Sequence, residues 1–154
     1  MNAILKNPKL KMRPMIEGDI EAVMVVERLC YEFPWTEGIF SDSLRVGYNC
    51  WVYTHGERII GHGVTSVAAG EAHLLNLCIH PEFQGQGLAR RLLQRLMTRV
   101  CNGEADTLFL EVRSSNKVAI GLYESMGFNE IGRRHGYYPA QQGREDAILF
   151  AFCL

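Results

Sequence analysis

The chain has 154 residues, of which 47% are apolar and 21% charged. That length builds one core, with about 68–70% of the unfolded surface buried, and the composition excludes disorder and low complexity. Sixteen basic against seventeen acidic residues leave a net charge of −1, which argues against wholesale nucleic-acid binding but leaves a basic protein open as a partner.

Leu10 to Arg13 reads as an opening strand. Asp19 is a good helix N-cap, and Ile20, Val23 and Met24 share one face of a helix ending near Tyr31. Phe33-Pro34-Trp35 breaks the pattern, and Thr36 caps a short helix through about Val46. Cys50–Thr54 and Arg58–Ala68 read as strands joined at His55-Gly56-Glu57. Ala72–Ile79 is apolar on both faces, as in a central strand, and His80-Pro81 stops it. After Gln84-Gly85-Gln86-Gly87 comes a helix whose stripe is Leu88, Leu92, Leu93, Leu96, Met97 and Val100. Thr107–Val112 is a further strand. Asn116 caps a helix with inner face Val118, Ala119, Leu122, Tyr123 and Met126, ended by Gly127 with Phe128 packing back. Strands near Asn129–Arg133 and Ala147–Phe152 close the chain around a loop, Tyr137 to Gly143. This order predicts an α/β (α+β) fold with a mixed sheet and helices on both faces. No repeat or linker is visible, so one domain over residues 1–154 is expected.

The longest apolar run, Ala147 to Leu154, is too short for a bilayer. Lys6, Lys9, Lys11 and Arg13 are interrupted by Asn7, Pro8 and Glu17, which does not make a secretory signal. The five cysteines are odd in number, lack CxxC spacing and mostly have apolar neighbours. They are expected to be reduced, buried thiols of a cytoplasmic protein, with packing preferred over a nucleophilic role. His55, His62, His73, His80 and His135 show no metal-binding spacing, so no metal is expected. No GxSxG is present.

The segment Leu74 to Val100 is the most informative. A strand, a proline, two glycines and an amphipathic helix bring uncapped N–H groups and a positive dipole end towards a ligand. Arg90 and Arg91 in the first turn make electrostatic sense beside an anion. The Walker pattern is absent, and Arg90 stands where the Rossmann pattern needs its third glycine. Taken alone, the loop fits an ordinary strand-to-helix turn as well as an anion site.

Gln84-Gly85-Gln86-Gly87-Leu88-Ala89 resembles the Q/R-x-x-G-x-G/A loop of the GCN5-related N-acetyltransferases. The similarity continues through Asn76 to Pro81, Leu110 to Arg113, Asn116, Leu122-Tyr123-Glu124 and Gly127-Phe128. It implies that family's fold, with a mostly antiparallel central sheet, and acetyl-CoA as co-substrate. It implies coenzyme contacts at Leu77, Cys78, Ile79, Gly85, Gln86, Gly87, Leu88, Ala89, Arg90 and Asn116. Phe33-Pro34-Trp35, Arg134, Tyr137-Tyr138-Pro139 and Gly143 to Ala147 are similar to the bacterial branch that acetylates the N-terminal alanine of a small-subunit ribosomal protein. The implied partner is therefore the N-terminus of a basic ribosomal protein, with neither nucleic acid nor membrane bound directly. A lysine or small-amine acceptor, and a non-catalytic acetyl-CoA-binding module, are the alternatives.

Acetyl transfer to an amine needs a proton acceptor and a proton donor. Glu111 sits in an apolar strand on the same face as Phe109. It reads either as a structural carboxylate paired with Arg113 or as a general base whose pKa burial would raise. Tyr123, on an inner helix stripe, would by itself be core. The resemblance implies that Glu111 is the base and Tyr123 the acid. Phe33, Trp35, Tyr137 and Tyr138 are candidate walls for an acceptor peptide, and core packing is the alternative for Phe33 and Trp35.

Overall fold

The computed structural model describes residues 8–102 and 104–154, so Lys6 and Asn7 lie outside the described residues. Its strands are β1 (Leu10–Pro14), β2 (Asn49–His55), β3 (Arg58–Ala68), β4 (Gly70–Ile79), β5 (Ala105–Arg113), β6 (Asn129–Pro139) and β7 (Arg144–Cys153). Its helices are α1 (Ile20–Cys30), α2 (Glu37–Arg45), α3 (Leu88–Val100) and α4 (Lys117–Ser125), with 3₁₀ turns at Glu17–Asp19 and Pro81–Phe83. The strands form one sheet in the order β1-β2-β3-β4-β5-β7-β6. The β4–β5 pair is parallel, and the other described pairs are antiparallel.

Alternation along β2 shows how the sheet divides two cores. Trp51 and Tyr53 belong to a cluster with Leu88, Leu92, Leu93 and Leu96 of α3, against which Ala119 and Leu122 of α4 also pack. Cys50 and Val52 point the other way, into a cluster with Val23 and Met24 of α1 and Phe40 of α2. Helices therefore cover both faces. Local chemistry sets their ends. Thr36 Oγ1 accepts from the Ile39 N–H at 3.2 Å, and Asn116 Oδ1 accepts from the Ala119 N–H at 3.2 Å. Gly127 takes φ +97°, and Phe128 is buried behind it.

Five expectations need correction. Asp19 makes no side-chain cap on α1. Its carboxylate accepts from the Ile16 N–H at 2.9 Å and pairs with Arg13 at 2.7 Å, closing the preceding 3₁₀ turn. Strand β4 is not buried on both faces, because Leu75 is 39% exposed where no helix covers the strand. Val118 is 86% exposed, being about 100° round the helix from Ala119. Tyr137 to Pro139 belong to β6, not to a loop, with Tyr138 opposite Glu145 and Pro139 opposite Arg144. A proline is tolerated there because β6 is an edge strand. All five cysteines are free, but Cys101 and Cys153 are exposed, following the end of α3 and ending β7.

Candidate active site

The site opens where the parallel pair comes apart. The β4–β5 ladder runs from Gly70↔Ala105 to Leu74↔Leu110. Beyond it β4 continues against β3, with Asn76 opposite Val64 and Cys78 opposite His62, while β5 continues against β7, with Glu111 opposite Leu149. The N–H and C=O of one strand residue point to the same side, and successive residues alternate. The Leu77 and Ile79 carbonyls point away from β3, where Tyr31 Oη donates to Leu77 O at 2.6 Å and Gln84 Nε2 to Ile79 O at 2.9 Å. The N–H groups of Leu77 and Ile79 share that direction, into the gap. They are two donors suited to a polarised carbonyl oxygen.

Two cavities occupy the gap. One, of about 480 Å³, runs between β4 and the glycine loop; the other, of about 360 Å³, lies between β4, β5 and the Tyr138 end of β6. They share Tyr31, Leu77, Asn116, Ala119 and Tyr123, so they meet along the β4 edge and α4.

The larger cavity gathers Leu77, Cys78, Ile79, Gly85, Gly87, Leu88, and with them Ala89, Arg90 and Asn116. Gln86 does not line it. Gly85 and Gly87 both have positive φ, at +78° and +81°, a conformation that glycine adopts without cost. Gly87 is the N-cap of α3, and it offers no side chain to occupy the first-turn N–H groups. No acidic residue lies in that turn, and Arg90 is held by Ser125 Oγ. A diphosphate fits this arrangement of uncapped donors, dipole and arginine. Val118, exposed to solvent, lines the same cavity.

The smaller cavity gathers Glu111, Phe33, Trp35, Tyr138 and Tyr123. Glu111 is not buried as expected. Its side chain is 30% exposed, and Arg134 Nε lies 3.4 Å from its carboxylate. Arg113, the partner expected for it, instead meets Glu145 at 2.8 Å. Tyr137 does not line the cavity; it is 44% exposed, and its hydroxyl hydrogen-bonds the Glu111 carboxylate, which raises the phenol's pKa. Tyr123 is 7% exposed, with its ring against Phe128 and Phe150. Burial pushes its pKa well up, so the phenol keeps its proton at neutral pH. Burial and the nearby Glu111 carboxylate push Tyr138 up to about 12. Trp35 serves both packing and cavity: its ring meets Phe40 at 5.1 Å, while its backbone N–H donates to Glu27 Oε2 at 2.9 Å.

The place of Tyr31, and the contacts of Arg113 and Arg134, were not legible in the chain. Tyr31 touches both cavities, yet in sequence it is only the end of a helix. The Arg113 guanidinium lies between the Phe33 ring, at 5.0 Å, and the Tyr138 ring, at 4.5 Å, and joins two walls of the smaller cavity. Arg134 reaches Glu111 from β6, the second strand over. Only the pairing order of the sheet brings these groups together.

Comparison with known proteins adds a second line of observation. Residues 34–136 match the family described as acetyltransferase (GNAT) domain. The chain is 41% identical over 133 residues to the [ribosomal protein bS18]-alanine N-acetyltransferase of Escherichia coli, covering 86% of this chain and 90% of that one. It is 36% identical over 141 residues to the protein of the same name from Haemophilus ducreyi, covering 91% and 97%. The crystal structure of the E. coli ribosomal-protein-S18-alanine N-acetyltransferase superposes with a TM-score of 0.87 at 38% identity, covering 94% of this chain and 93% of that one. Arabidopsis thaliana NAA60 in complex with acetyl-CoA shares the fold, with a TM-score of 0.86 at 19% identity, covering 94% and 98%.

Proposed function

This chain belongs to the acetyltransferase (GNAT) family, and from that premise we propose that it transfers acetyl from acetyl-CoA to the N-terminal alanine of a small-subunit ribosomal protein of the bS18 kind. The observation that carries the chemistry is the meeting of two cavities at Tyr123 and Leu77, one walled by the glycine loop and the other by Glu111. The acceptor is supported by the 41% identity to the E. coli enzyme.

Acetyl-CoA supplies an activated acetyl thioester. The first turn of α3, with Gly85, Gly87 and Arg90, grips the diphosphate, while Leu77, Cys78 and Ile79 line the pantetheine arm through their backbone. The Leu77 and Ile79 N–H groups stabilise charge developing on the thioester oxygen. Glu111 accepts the proton of the attacking ammonium. Tyr123 donates its proton to the sulfur as the C–S bond breaks. Phe33, Trp35 and Tyr138 flank the acceptor peptide, and Tyr137 acts on it only through its hydrogen bond to Glu111. Transfer is direct, with no acyl-enzyme.

An α-amine has a pKa of about 7.7–8.0 and a lysine about 10.4, so deprotonating lysine at neutral pH costs roughly 3–4 kcal/mol more. One half-exposed glutamate suits the α-amine. The ribosomal acceptor and the free thiols both support a cytoplasmic location.

The decisive experiment incubates the protein with acetyl-CoA and peptides ending in free alanine, with matched lysine peptides. Mass spectrometry should locate acetyl on the alanine nitrogen. Modification confined to lysine would overturn the acceptor, and absence of thiol release would overturn the activity. Glu111→Gln should lower kcat while calorimetric coenzyme affinity stays; an unchanged kcat would remove Glu111 from the base role.

A further inference from the structure

Behind the smaller cavity lies a buried group of side chains that acetyl transfer does not use. Glu27 of α1 is 1% exposed, His62 of β3 is 0% exposed, and Cys78 of β4 is 7% exposed. His62 Nε2 lies 2.9 Å from Glu27 Oε1 and 3.1 Å from Cys78 Sγ, and that oxygen and sulfur are 3.9 Å apart. An acid–imidazole–thiol relay would use opposite ring nitrogens. Here one nitrogen faces both partners, with Nδ1 farther from the sulfur at 3.7 Å. With the Cys78 thiol protonated, it donates to Glu27 Oε1; with that proton gone, three lone pairs converge on one point and can hold a cation. Tetrahedral zinc, with bonds of about 2.0–2.3 Å, keeps its ligand atoms about 3.3–3.6 Å apart, and the three observed distances bracket that range.

Asn76 supplies an independent observation. Its Nδ2 donates to both Glu27 oxygens, at 3.1 and 3.3 Å. Its Oδ1 is buried and has no hydrogen-bond partner, an arrangement that costs free energy unless something else meets it. The amide faces Glu27 with its nitrogen, and a turn of the amide brings the orphaned carbonyl towards the cluster as a further oxygen donor. Charge also balances. The hydrogen-bond partners described for Glu27 are the Trp35 N–H, His62, Asn76 and Cys78, with no lysine or arginine among them. One carboxylate and one thiolate neutralise a dication, and imidazole binds it uncharged.

We propose that Glu27, His62 and Cys78 form a binding site for a zinc-type divalent cation, with Asn76 Oδ1 as the additional donor. On binding, the cation replaces the proton on Cys78 Sγ, which is released to solvent, and nothing is oxidised or reduced. Glu27 and Asn76 line the smaller cavity, which gives the ion a route inward. The site ties α1 to β3 and β4 beside the strand separation. Spacing concealed it, since the ligands lie 35 and 16 residues apart on three elements.

Metal-free full-length protein should bind one equivalent of Co²⁺, with a thiolate-to-cobalt absorption band in the near ultraviolet that Zn²⁺ removes. Cys78→Ala and His62→Gln, with folding verified by circular dichroism, should lose the band. The double variant Cys101→Ser/Cys153→Ser should keep it. X-ray absorption of the zinc-loaded natural chain, which needs no variant, should show one sulfur with nitrogen and oxygen neighbours. No bound cobalt, a band that survives in folded Cys78→Ala, a band lost from the double variant, or a zinc shell with no sulfur or several would each overturn the site.

Discussion

Tyr123→Phe separates chemistry from packing more cleanly than any other single change. The substitution removes one oxygen and leaves the ring, whose contacts with Phe128 at 5.6 Å and Phe150 at 6.1 Å between centroids can persist. Stability should therefore move by no more than about 1 kcal/mol, the worth of one modest hydrogen bond. The turnover number should fall by about 10²–10⁴, the usual contribution of a positioned proton donor, or roughly 2.7–5.5 kcal/mol of barrier. Coenzyme affinity should stay within about threefold, because the turn proposed to hold the diphosphate begins α3, whereas Tyr123 is on α4. Stopped-flow thiol release under single-turnover conditions, beside calorimetric coenzyme binding and a denaturant melt, reads all three quantities. The pH profile gives a further check. Burial raises the Tyr123 pKa, so the donor stays protonated and should produce no alkaline loss of rate below about pH 10. A Phe variant with undiminished single-turnover rate would refute the assignment and return Tyr123 to the core.

Three further outcomes follow from the geometry. Gly87→Ala places a side chain at φ +81°, which costs about 1–2 kcal/mol and tilts the first turn of α3; coenzyme Kd should rise about tenfold, and an unaltered Kd would count against that turn as the diphosphate site. Gly61→Ala puts a methyl 2.6 Å from Ile79 Cδ1 and 3.0 Å from the Cys78 carbonyl oxygen. It should destabilise by about 1–3 kcal/mol and raise KM for acetyl-CoA by displacing β4, as chemical denaturation and steady-state kinetics would show. Asp19→Asn removes the charge that Arg13 and the Ile16 N–H stabilise. Those partners lower the folded-state pKa of Asp19. Its stabilisation is therefore present above the unfolded value, near pH 4, and is lost as pH falls through the folded value. With Arg13 partly exposed, the cost near pH 7 should be about 1–2 kcal/mol and should shrink towards pH 2; melts whose difference did not narrow in acid would contradict the pairing.

What the chain determined alone is what short-range physics controls. Thr36 and Asn116 cap their helices because a hydroxyl or amide oxygen reaches an N–H three residues on. Gly85, Gly87 and Gly127 mark left-handed backbone because other residues are strained there. Pro81 ends a strand because it has no N–H to give. The glycine turn before α3 is built from such local terms, and so its backbone was legible in the chain, while its proposed diphosphate role came from the family resemblance. Tertiary structure alone decided where β4 and β5 part, since the separation depends on β3 and β7 claiming their continuing edges. It also gave Glu111 an arginine from β6 in place of Arg113, made Tyr137 and Tyr138 strand residues, and gathered Glu27, His62 and Cys78 from three elements. Each of these joins groups far apart in sequence, and pairwise energies of such contacts exist only after the sheet order has brought them within a few ångströms.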